Sequence, residues 1–262
     1  MKVIRHFKFF AKNFLYNHFF DSFGYYRTLK NFKIPDYDHE KNKSAVRKKH
    51  HGKGGWKTQW DNGFVYRDYE NYEEYVDHQK VKFDEMLAIK GGFAKKDIIE
   101  YRLKFYNRFS ILSYIIPPDG HLLCLGARQG TEVEVLRDLG FSQAMGIDLN
   151  PGANNPWVKH GDFMAIEAAD HSLDLIYTNA VDHAFNLDAF FKEHARVIKK
   201  DGYALYDLNI QSAAKGAGPF EAVEWDREER VFLLMLKYFK QVIRVETEDN
   251  WKWVLLKGPI MD

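Results

Sequence analysis

Residues 122–130 read LLCLGARQG, and this stretch decides how the rest of the chain is organised. Four apolar residues, Leu122–Leu125, predict a buried strand that runs into a turn with glycine at both ends, Gly126 and Gly130. A helix is predicted to begin at Thr131. Glycine lets the backbone approach a ligand closely, and the N-terminus of a helix favours an anionic or carboxylate group. The stretch therefore predicts a ligand site at the end of the first strand of a sheet.

Beyond this turn, apolar strands alternate with amphipathic helices. Further strands are predicted at residues 144–149, 173–177 and 203–208, with helices around Val133 and through residues 187–198. Continuous apolar strands separated by helices are typical of a parallel sheet covered on both faces. A helix near residues 231–239 then precedes two strands, 241–245 and 251–256, joined by a short polar turn. The predicted fold class is α/β, a doubly wound, mostly parallel sheet with a C-terminal antiparallel hairpin.

Asp148 stands eighteen residues after Gly130, at the end of the second predicted strand. A carboxylate at that position suits hydrogen bonds to ribose hydroxyls, as in dinucleotide-binding folds. A degenerate glycine turn is a weak signal by itself. Together with this acid, the order of the strands and the hairpin, it becomes a strong one.

Five segments in order resemble the motifs of the class I S-adenosylmethionine-dependent methyltransferases, a superfamily with a Rossmann-like fold. The resemblance covers residues 115–260, and its segments are 122–130, 146–149, 161–163, 173–183 and 196–202. It is carried by a first glycine motif, an acid after the second strand that in the family binds the cofactor ribose, an Asp-Phe pair that holds the adenine, an active-site turn and a lysine-glycine turn before the fifth strand. The resemblance implies S-adenosyl-L-methionine as the cofactor and a methyltransferase domain of the type-11 kind over residues 116–262.

The resemblance also implies roles for individual residues. The implied cofactor-binding residues are Gly126, Ala127, Arg128, Gly130, Asp148, Leu149, Asp162, Phe163 and Asn179. Two positions depart from the family pattern: Cys124 replaces an acid that contacts the methionine end of the cofactor, and Arg128 replaces a glycine. Arg128 is interpreted either as a partner of the cofactor carboxylate or as a solvated loop residue. Cys124 is interpreted as a small buried residue.

Two residues after the fourth strand are the candidate catalytic residues, His183 and Asp182, with Asp207 a weaker third. Methyl transfer is a displacement at a sulfonium, so the cofactor supplies the reactivity and the protein aligns donor and acceptor. A base is needed only where the acceptor must lose a proton, and histidine suits that role because its pKa lies near neutrality. The alternative for His183 is that it caps or orients the next helix. No metal site is expected, because no zinc-ligand spacing is present.

Residues 1–115 are predicted to form a basic, aromatic-rich helical extension that carries a lid. Residues 1–25 have the pattern of a basic amphipathic helix, which either makes peripheral contact with a membrane or packs on this chain or a second subunit. Residues 31–63 are polar and rich in turn formers, which predicts a long loop. Residues 70–116 predict mostly helix.

An aromatic cluster follows the basic run at residues 47–51. Its members are Trp56, Trp60, Phe64, Tyr66, Tyr69, Tyr72 and Tyr75. Three interpretations are open: a lid or wall over an apolar acceptor pocket, a surface for single-stranded nucleic acid, or a packing face of the extension.

The 262 residues carry a net charge of only +1, but the charge is unevenly distributed. Residues 1–115 hold 23 Lys and Arg against 14 Asp and Glu, whereas residues 116–262 hold 15 against 23. Such asymmetry suits two parts with different partners, or a basic extension docked on an acidic domain. The single cysteine and the lack of a membrane-length apolar run predict a soluble, cytoplasmic protein.

Three functional hypotheses follow. The first is a methyltransferase that acts on an oxygen or nitrogen of a small-molecule acceptor, such as a sugar-like metabolite. The second is an RNA methyltransferase that docks nucleic acid on the basic extension, although no recognised RNA-binding motif is present. The third is a noncatalytic cofactor-binding module tethered through residues 1–25. The fold alone does not choose the acceptor.

Overall fold

The computed structural model describes residues 58–61, 63–90, 95–151, 156–209, 220–225, 228–248 and 251–260. The amphipathic helix predicted for residues 1–25 and most of the loop predicted for residues 31–63 lie outside them. Among the helices within the described ranges, none is both long and apolar enough to cross a membrane.

Seven of the described strands form one sheet. The strands of the molecule are β1 (Thr58–Asp61), β2 (Phe64–Arg67), β3 (Leu122–Leu125), β4 (Ala144–Asp148), β5 (Val158–His160), β6 (Leu173–Thr178), β7 (Ile198–Asn209), β8 (Val223–Trp225), β9 (Phe239–Glu248) and β10 (Trp251–Pro259). The large sheet has the order β5-β4-β3-β6-β7-β10-β9. Strands β3 to β7 pair in parallel, and the β9–β10 hairpin is antiparallel to β7. This topology confirms the predicted fold class.

Six helices of the described residues accompany the strands. They are α1 (Tyr72–Lys90), α2 (Lys95–Phe109), α3 (Leu112–Ile115), α4 (Thr131–Asp138), α5 (Leu187–Val197) and α6 (Glu228–Met235). Helix α5 begins after Asn186, whose Oδ1 accepts a hydrogen bond from the Ala189 N–H at 2.9 Å. Such a cap satisfies one of the amides that the first helical turn leaves unpaired.

Strand β1 lies in the stretch for which the sequence predicted a loop. Gly63, with φ +87°, makes the turn from β1 to β2, and β2 also pairs with β8 from the far end of the chain. The loop prediction was therefore wrong for residues 58–61. Its error has a physical cause, because a four-residue strand depends on partners that a local pattern does not show.

Strand β7 begins at Ile198 rather than at Tyr203, so the predicted lysine-glycine turn is the first part of the strand. The pairing of β6 with β7 shifts register just after Leu173. Gly202 fits this irregular place, because a Cβ there would lie 3.1 Å from the carbonyl oxygens of Leu173 and Asp174. Because Ile198 pairs with Leu173 and Tyr203 with Leu175, residues 199–202 bulge out of the ladder where the lysine-glycine turn was predicted, and glycine in this bulge has a steric reason.

Helix α2 belongs to the same hydrophobic core as one face of the sheet. Phe105 and Phe109 are buried beside Tyr177 of β6, and the rings of Phe109 and Tyr177 meet edge to face with centroids 4.8 Å apart. Helix α2 of the basic extension is thus held to the sheet by the burial of apolar side chains.

A buried ion pair also fastens α2 to β7. The side chains of Arg108 and Asp207 are fully buried, with Arg108 Nε 2.8 Å from Asp207 Oδ2. Arg108 Nη2 donates to Oδ1 at 3.2 Å, and Lys104 Nζ lies 3.6 Å from Oδ2. Removing one partner of a buried pair leaves the other charge uncompensated, which costs more than losing a surface pair.

We expect Arg108→Ala to lower the free energy of unfolding by about 3–5 kcal/mol, because the buried Asp207 would lose its close partner and keep only Lys104, 3.6 Å away. Arg102→Ala is the matched control on the same helix. Arg102 pairs with the half-exposed Glu134 at 2.8 Å, and its loss should cost less than about 1 kcal/mol. Urea denaturation of both variants checks the difference, and equal losses would contradict it.

Candidate functional site

The turn between β3 and α4 is closed by backbone hydrogen bonds. The Ala127 N–H donates to Ile147 O at 3.0 Å and so ties the turn to β4, and the Gly130 N–H donates to Ala127 O at 2.7 Å. Gly126 and Gly130 have φ values of +69° and +75°, in the left-handed region that glycine adopts without strain. The predicted glycine turn is therefore present, and both glycines are needed for its shape.

Arg128 occupies the middle of this turn with φ +43°, an unusual conformation for a residue with a side chain. Across the crevice, a Cβ added at Gly126 would approach the Cβ of Ala180 to 3.2 Å. The turn thus forms one wall of a narrow space whose other wall follows β6. Backbone strain of this kind clusters at binding sites when the surrounding structure supports it.

Asp148 supports the turn from the end of β4. Its Oδ2 accepts a hydrogen bond from the Arg128 N–H at 3.0 Å, and its Oδ1 accepts from the Asn150 N–H at 2.8 Å. Each carboxylate oxygen offers more than one acceptor position, so Asp148 can also receive the hydroxyls of a ribose. Asn150 Nδ2 donates to Lys80 O at 3.2 Å, which brings α1 over this side of the site. Leu149, between Asp148 and Asn150 in the sequence, is partly buried.

Asp162 follows β5 at the same edge of the sheet. Its Oδ1 accepts from the Met164 N–H at 2.8 Å, and its Oδ2 accepts from the hydroxyl of Tyr72 at 2.5 Å. The next residue, Phe163, is buried and meets the ring of Phe190 edge to face at 5.3 Å. Helix α1 therefore contacts the loop in which the family resemblance implies adenine binding.

His194 contacts the loop that contains Asp162 and Phe163. It is fully buried, with Nε2 3.3 Å from Phe163 O and Nδ1 3.1 Å from the Tyr206 hydroxyl. Because a carbonyl oxygen only accepts, Nε2 carries the proton and Nδ1 accepts from the tyrosine. Burial lowers the pKa of His194 to about 3, so the ring stays neutral near pH 7.

A cavity of about 270 Å³ opens between the glycine turn and the 3-10 turn Val181–His183 that follows β6. The predicted residues that line it are Gly126, Ala127, Arg128, Asn179, Asp182 and His183. The other predicted residues, which lie outside the lining, are Gly130, Asp148, Leu149, Asp162 and Phe163. The sequence analysis missed further lining residues, among them Ile98, Tyr101, Phe105, Gln129, Thr131, Glu132, Asn209, Glu221 and Trp251.

His183 is oriented by a backbone carbonyl. Its Nδ1 lies 2.9 Å from Phe220 O, so Nδ1 carries the proton of the neutral ring and Nε2 carries the lone pair. Nε2 is 3.7 Å from Asp182 Oδ1. The Asp182 carbonyl in turn accepts from the Ala222 N–H at 2.8 Å. These contacts hold the imidazole at the cavity wall in the tautomer that a general base requires.

Two other candidates do not face the cavity. Asp207, the weaker candidate base, is fully buried against Arg108 and is not among the lining residues, so the structure corrects this prediction and gives Asp207 an anchoring role. Cys124 is fully buried, and burial raises the pKa of its thiol, as expected of a small core residue rather than a nucleophile. Within the described residues, no group of His, Cys, Asp and Glu is arranged to hold a metal ion.

Part of the aromatic cluster predicted beside the basic run packs around Phe185. Tyr69, Tyr72 and Tyr75 all contact the ring of Phe185, with centroids 6.1, 5.2 and 5.2 Å away. Tyr75 is fully buried. These contacts favour the packing interpretation for these three residues, while Trp56 lies outside the described residues.

The residues around Tyr75 fit a nucleoside. Its buried hydroxyl has no hydrogen-bond partner within the described residues. Burial raises the pKa of Tyr75, and the carboxylates of Asp162 and Asp148 also raise it, so the hydroxyl lies within electrostatic range of both acids. Asp148 and Asp162 are the acids to which the family resemblance assigns cofactor binding. An unsatisfied buried hydroxyl near them fits a site that binds S-adenosylmethionine, and the turn from Gly126 to Gly130 fits the same cofactor.

Comparison with known proteins supports assignment to the methyltransferases. Residues 123–206 match the family model described as a methyltransferase domain, and no curated protein matches the sequence. A Burkholderia thailandensis N-methyltransferase, solved with 1,6-didemethyltoxoflavin and S-adenosylhomocysteine, is similar with TM-score 0.55 and 11% identity over 78% of this chain and 99% of that one.

Two further solved structures share the fold. A Haloferax volcanii methyltransferase, solved in complex with a methyltransferase activator, has TM-score 0.54 and 15% identity over 68% of this chain and 98% of that one. A Haemonchus contortus phosphoethanolamine N-methyltransferase was solved with phosphomonomethylethanolamine and S-adenosylhomocysteine. It has TM-score 0.51 and 13% identity over 74% of this chain and 61% of that one. At such identities the likeness concerns the fold.

The buried His194 predicts how stability depends on pH. Its pKa is about 3 in the folded protein and about 6.5 when unfolded, so stability is lost as the pH falls below about 6.5. At pH 5 this residue alone should lower the free energy of unfolding by about 2 kcal/mol relative to pH 7. In His194→Gln that part of the loss should disappear, whereas His121→Gln, at an exposed position, should retain it. Urea denaturation at the two pH values measures it, and equal losses in both variants would contradict the assignment.

Proposed function

Because this chain belongs to the class I S-adenosylmethionine-dependent methyltransferases, we propose that it methylates an oxygen or nitrogen of a small-molecule acceptor. The observation that carries the proposal is the cavity between the glycine turn and His183. One wall is the turn that fits the cofactor, and the other presents an oriented histidine. The cavity of about 270 Å³ must also take the methionine end of the cofactor, so the space left suits a small acceptor group.

The cofactor would be held at two places along the edge of the sheet. Asp148 would receive the ribose hydroxyls, and the turn from Gly126 to Gly130 would carry the methionine end into the cavity. When bound, S-adenosylmethionine supplies an electrophilic methyl group on a sulfonium. The task of the protein is to align the acceptor with that methyl group and to exclude water.

His183 is the residue proposed to take the proton of a hydroxyl acceptor. His183 lines the cavity, and because its Nδ1–H is engaged by Phe220 O, the lone pair is on Nε2. The Asp182 carboxylate, 3.7 Å from Nε2, would stabilise the imidazolium that forms. An amine acceptor needs only a free lone pair, so with amines this base should matter little.

The lining of the cavity supports a small acceptor with both apolar and polar groups. Tyr101, Phe105 and Trp251 contribute aromatic surface, and Asn209 and Glu221 contribute hydrogen-bonding groups. Binding sites for small molecules combine these two kinds of residue. A sugar-like acceptor is one class that fits, since its hydroxyls can pair with the polar groups while its ring rests on an aromatic side chain.

The other hypotheses rest on residues 1–57, which lie outside the described ranges. The net positive charge of the extension is the support for an RNA acceptor, and the pattern of residues 1–25 is the support for peripheral membrane contact. Membership of an enzyme class argues against a noncatalytic module. We keep the small-molecule acceptor because the cavity itself supports it.

The proposal is tested by measuring S-adenosylhomocysteine formation by the full-length protein with panels of small alcohols, sugars and amines, and with total RNA. We expect turnover with a small molecule. For a hydroxyl acceptor, His183→Gln should lower kcat by about 10²–10⁴-fold and leave the KM for S-adenosylmethionine unchanged. The control is His160→Gln, at an exposed position on β5, which should retain full activity. Turnover with RNA alone would overturn the proposed acceptor class.

A further inference from the structure

Glu132 is a buried carboxyl on the cavity wall to which the proposed reaction gives no role. It lies in the first turn of α4, is only 6% exposed and lines the cavity. Glu134, two residues further along the same helix, instead points to the surface and pairs with Arg102 at 2.8 Å. A carboxyl is rarely buried in a protein unless it has a partner, so the position of Glu132 calls for one.

The surroundings of Glu132 supply mostly negative or neutral groups. No cation forms a salt bridge with it within the described parts of the chain. The pKa of Glu132 is raised to about 8, chiefly by burial and in smaller part by the carboxylates of Asp148 and Glu134, against the opposing effects of a backbone hydrogen bond and the charge of Arg128. Its other titratable neighbours are Cys124 and Tyr177, whose own pKa values it raises. The free protein thus holds a largely neutral carboxyl that a cation entering the cavity would ionise.

The location of Glu132 matches the place where the sequence lacks an acid. Cys124 of β3 stands at the position of the acid that the family pattern places near the methionine end of the cofactor. Glu132 raises the pKa of the Cys124 thiol, so its carboxyl lies within electrostatic range of Cys124. The carboxyl of Glu132, on helix α4, therefore lies near Cys124 of β3, where the family pattern has an acid.

The same cavity wall also carries a positive charge, which could pair with the carboxylate of an amino acid. Arg128 lines the cavity, and the electrostatic interaction between Arg128 and Glu132 places the guanidinium near the carboxyl. An α-amino acid carries an ammonium and a carboxylate close together, so it requires an anion and a cation at similar separation. Asp148, at the end of β4, lies within electrostatic range of both residues, so a ribose bound at Asp148 would lie near them.

We propose that Glu132 binds the ammonium group of the methionine end of the cofactor, while Arg128 binds its carboxylate. This inference rests on the proposed function, because it concerns the cofactor of that reaction. Glu132 of α4 would then supply the acid that the family pattern places on β3, where this chain has the thiol of Cys124. Because the carboxyl must be ionised to bind an ammonium, cofactor binding near pH 7 releases a proton from Glu132.

The experiment is calorimetric titration of the full-length protein with S-adenosylhomocysteine and with 5′-methylthioadenosine, which lacks the amino-acid end. Glu132→Gln should weaken binding of S-adenosylhomocysteine by about 10–100-fold, since a charge-assisted hydrogen bond is lost, and should leave binding of 5′-methylthioadenosine unchanged. The matched control, Glu134→Gln, should bind both ligands as the unmodified protein does. Glutamine resembles a neutral carboxyl, so the fold should be retained, and thermal unfolding checks this.

Proton release gives a second readout that needs no variant. At about pH 6.5, titrations in two buffers of different ionisation enthalpy should show close to one proton released by the unmodified protein with S-adenosylhomocysteine. None should be released with 5′-methylthioadenosine. Absence of proton release, unchanged S-adenosylhomocysteine binding in Glu132→Gln, or equal weakening of both ligands would overturn the role of Glu132. Failure of the unmodified protein to bind either ligand would instead overturn the proposed function itself.

Discussion

The site depends on one hydrogen bond, from the backbone N–H of Arg128 to the carboxylate of Asp148. Parallel strands end at the same edge of a sheet, so β3 and β4 bring a turn and an acid together there. The bond holds the turn in a left-handed conformation at Arg128, which an isolated chain would rarely adopt. Helix α4 begins directly after this turn, so the same bond also places Glu132 on the cavity wall.

The helices that precede the sheet are part of the site. Tyr72 of α1 binds Asp162, and the buried ion pair between Arg108 and Asp207 fastens α2 to β7. Helix α2 in turn supplies Tyr101 to the cavity lining. The excess positive charge of the N-terminal half therefore serves packing in at least one place, where it neutralises a buried acid of the sheet.

The sequence predicted the central strands well because each is a local apolar run. Strands β3, β4 and β6 begin at the predicted residues, and the glycine turn and Asp148 meet as the spacing indicated. The small antiparallel sheet escaped prediction because β2 finds its second partner, β8, far along the chain. Long-range pairing leaves no local signature.

The prediction of the site was limited for a related reason. Asp207 looked like a second acid near the end of a strand, but its partner Arg108 comes from a helix that the sequence analysis assigned to a separate extension. Glu132 was missed because an acid in the first turn of a helix is usually exposed, and only the structure shows that this one is buried. The replacement of an acid by Cys124 was the one signal that could have prompted a search for it.

The most direct test is calorimetric titration of the full-length protein and of Asp148→Ala with S-adenosylmethionine and S-adenosylhomocysteine. The account predicts micromolar binding by the unmodified protein and its loss in the variant, because the alanine would neither hold the turn nor receive the ribose. Asp119→Ala, at an exposed position before β3, should bind both ligands normally. A well-folded Asp148→Ala that binds them as tightly as the unmodified protein would contradict the account.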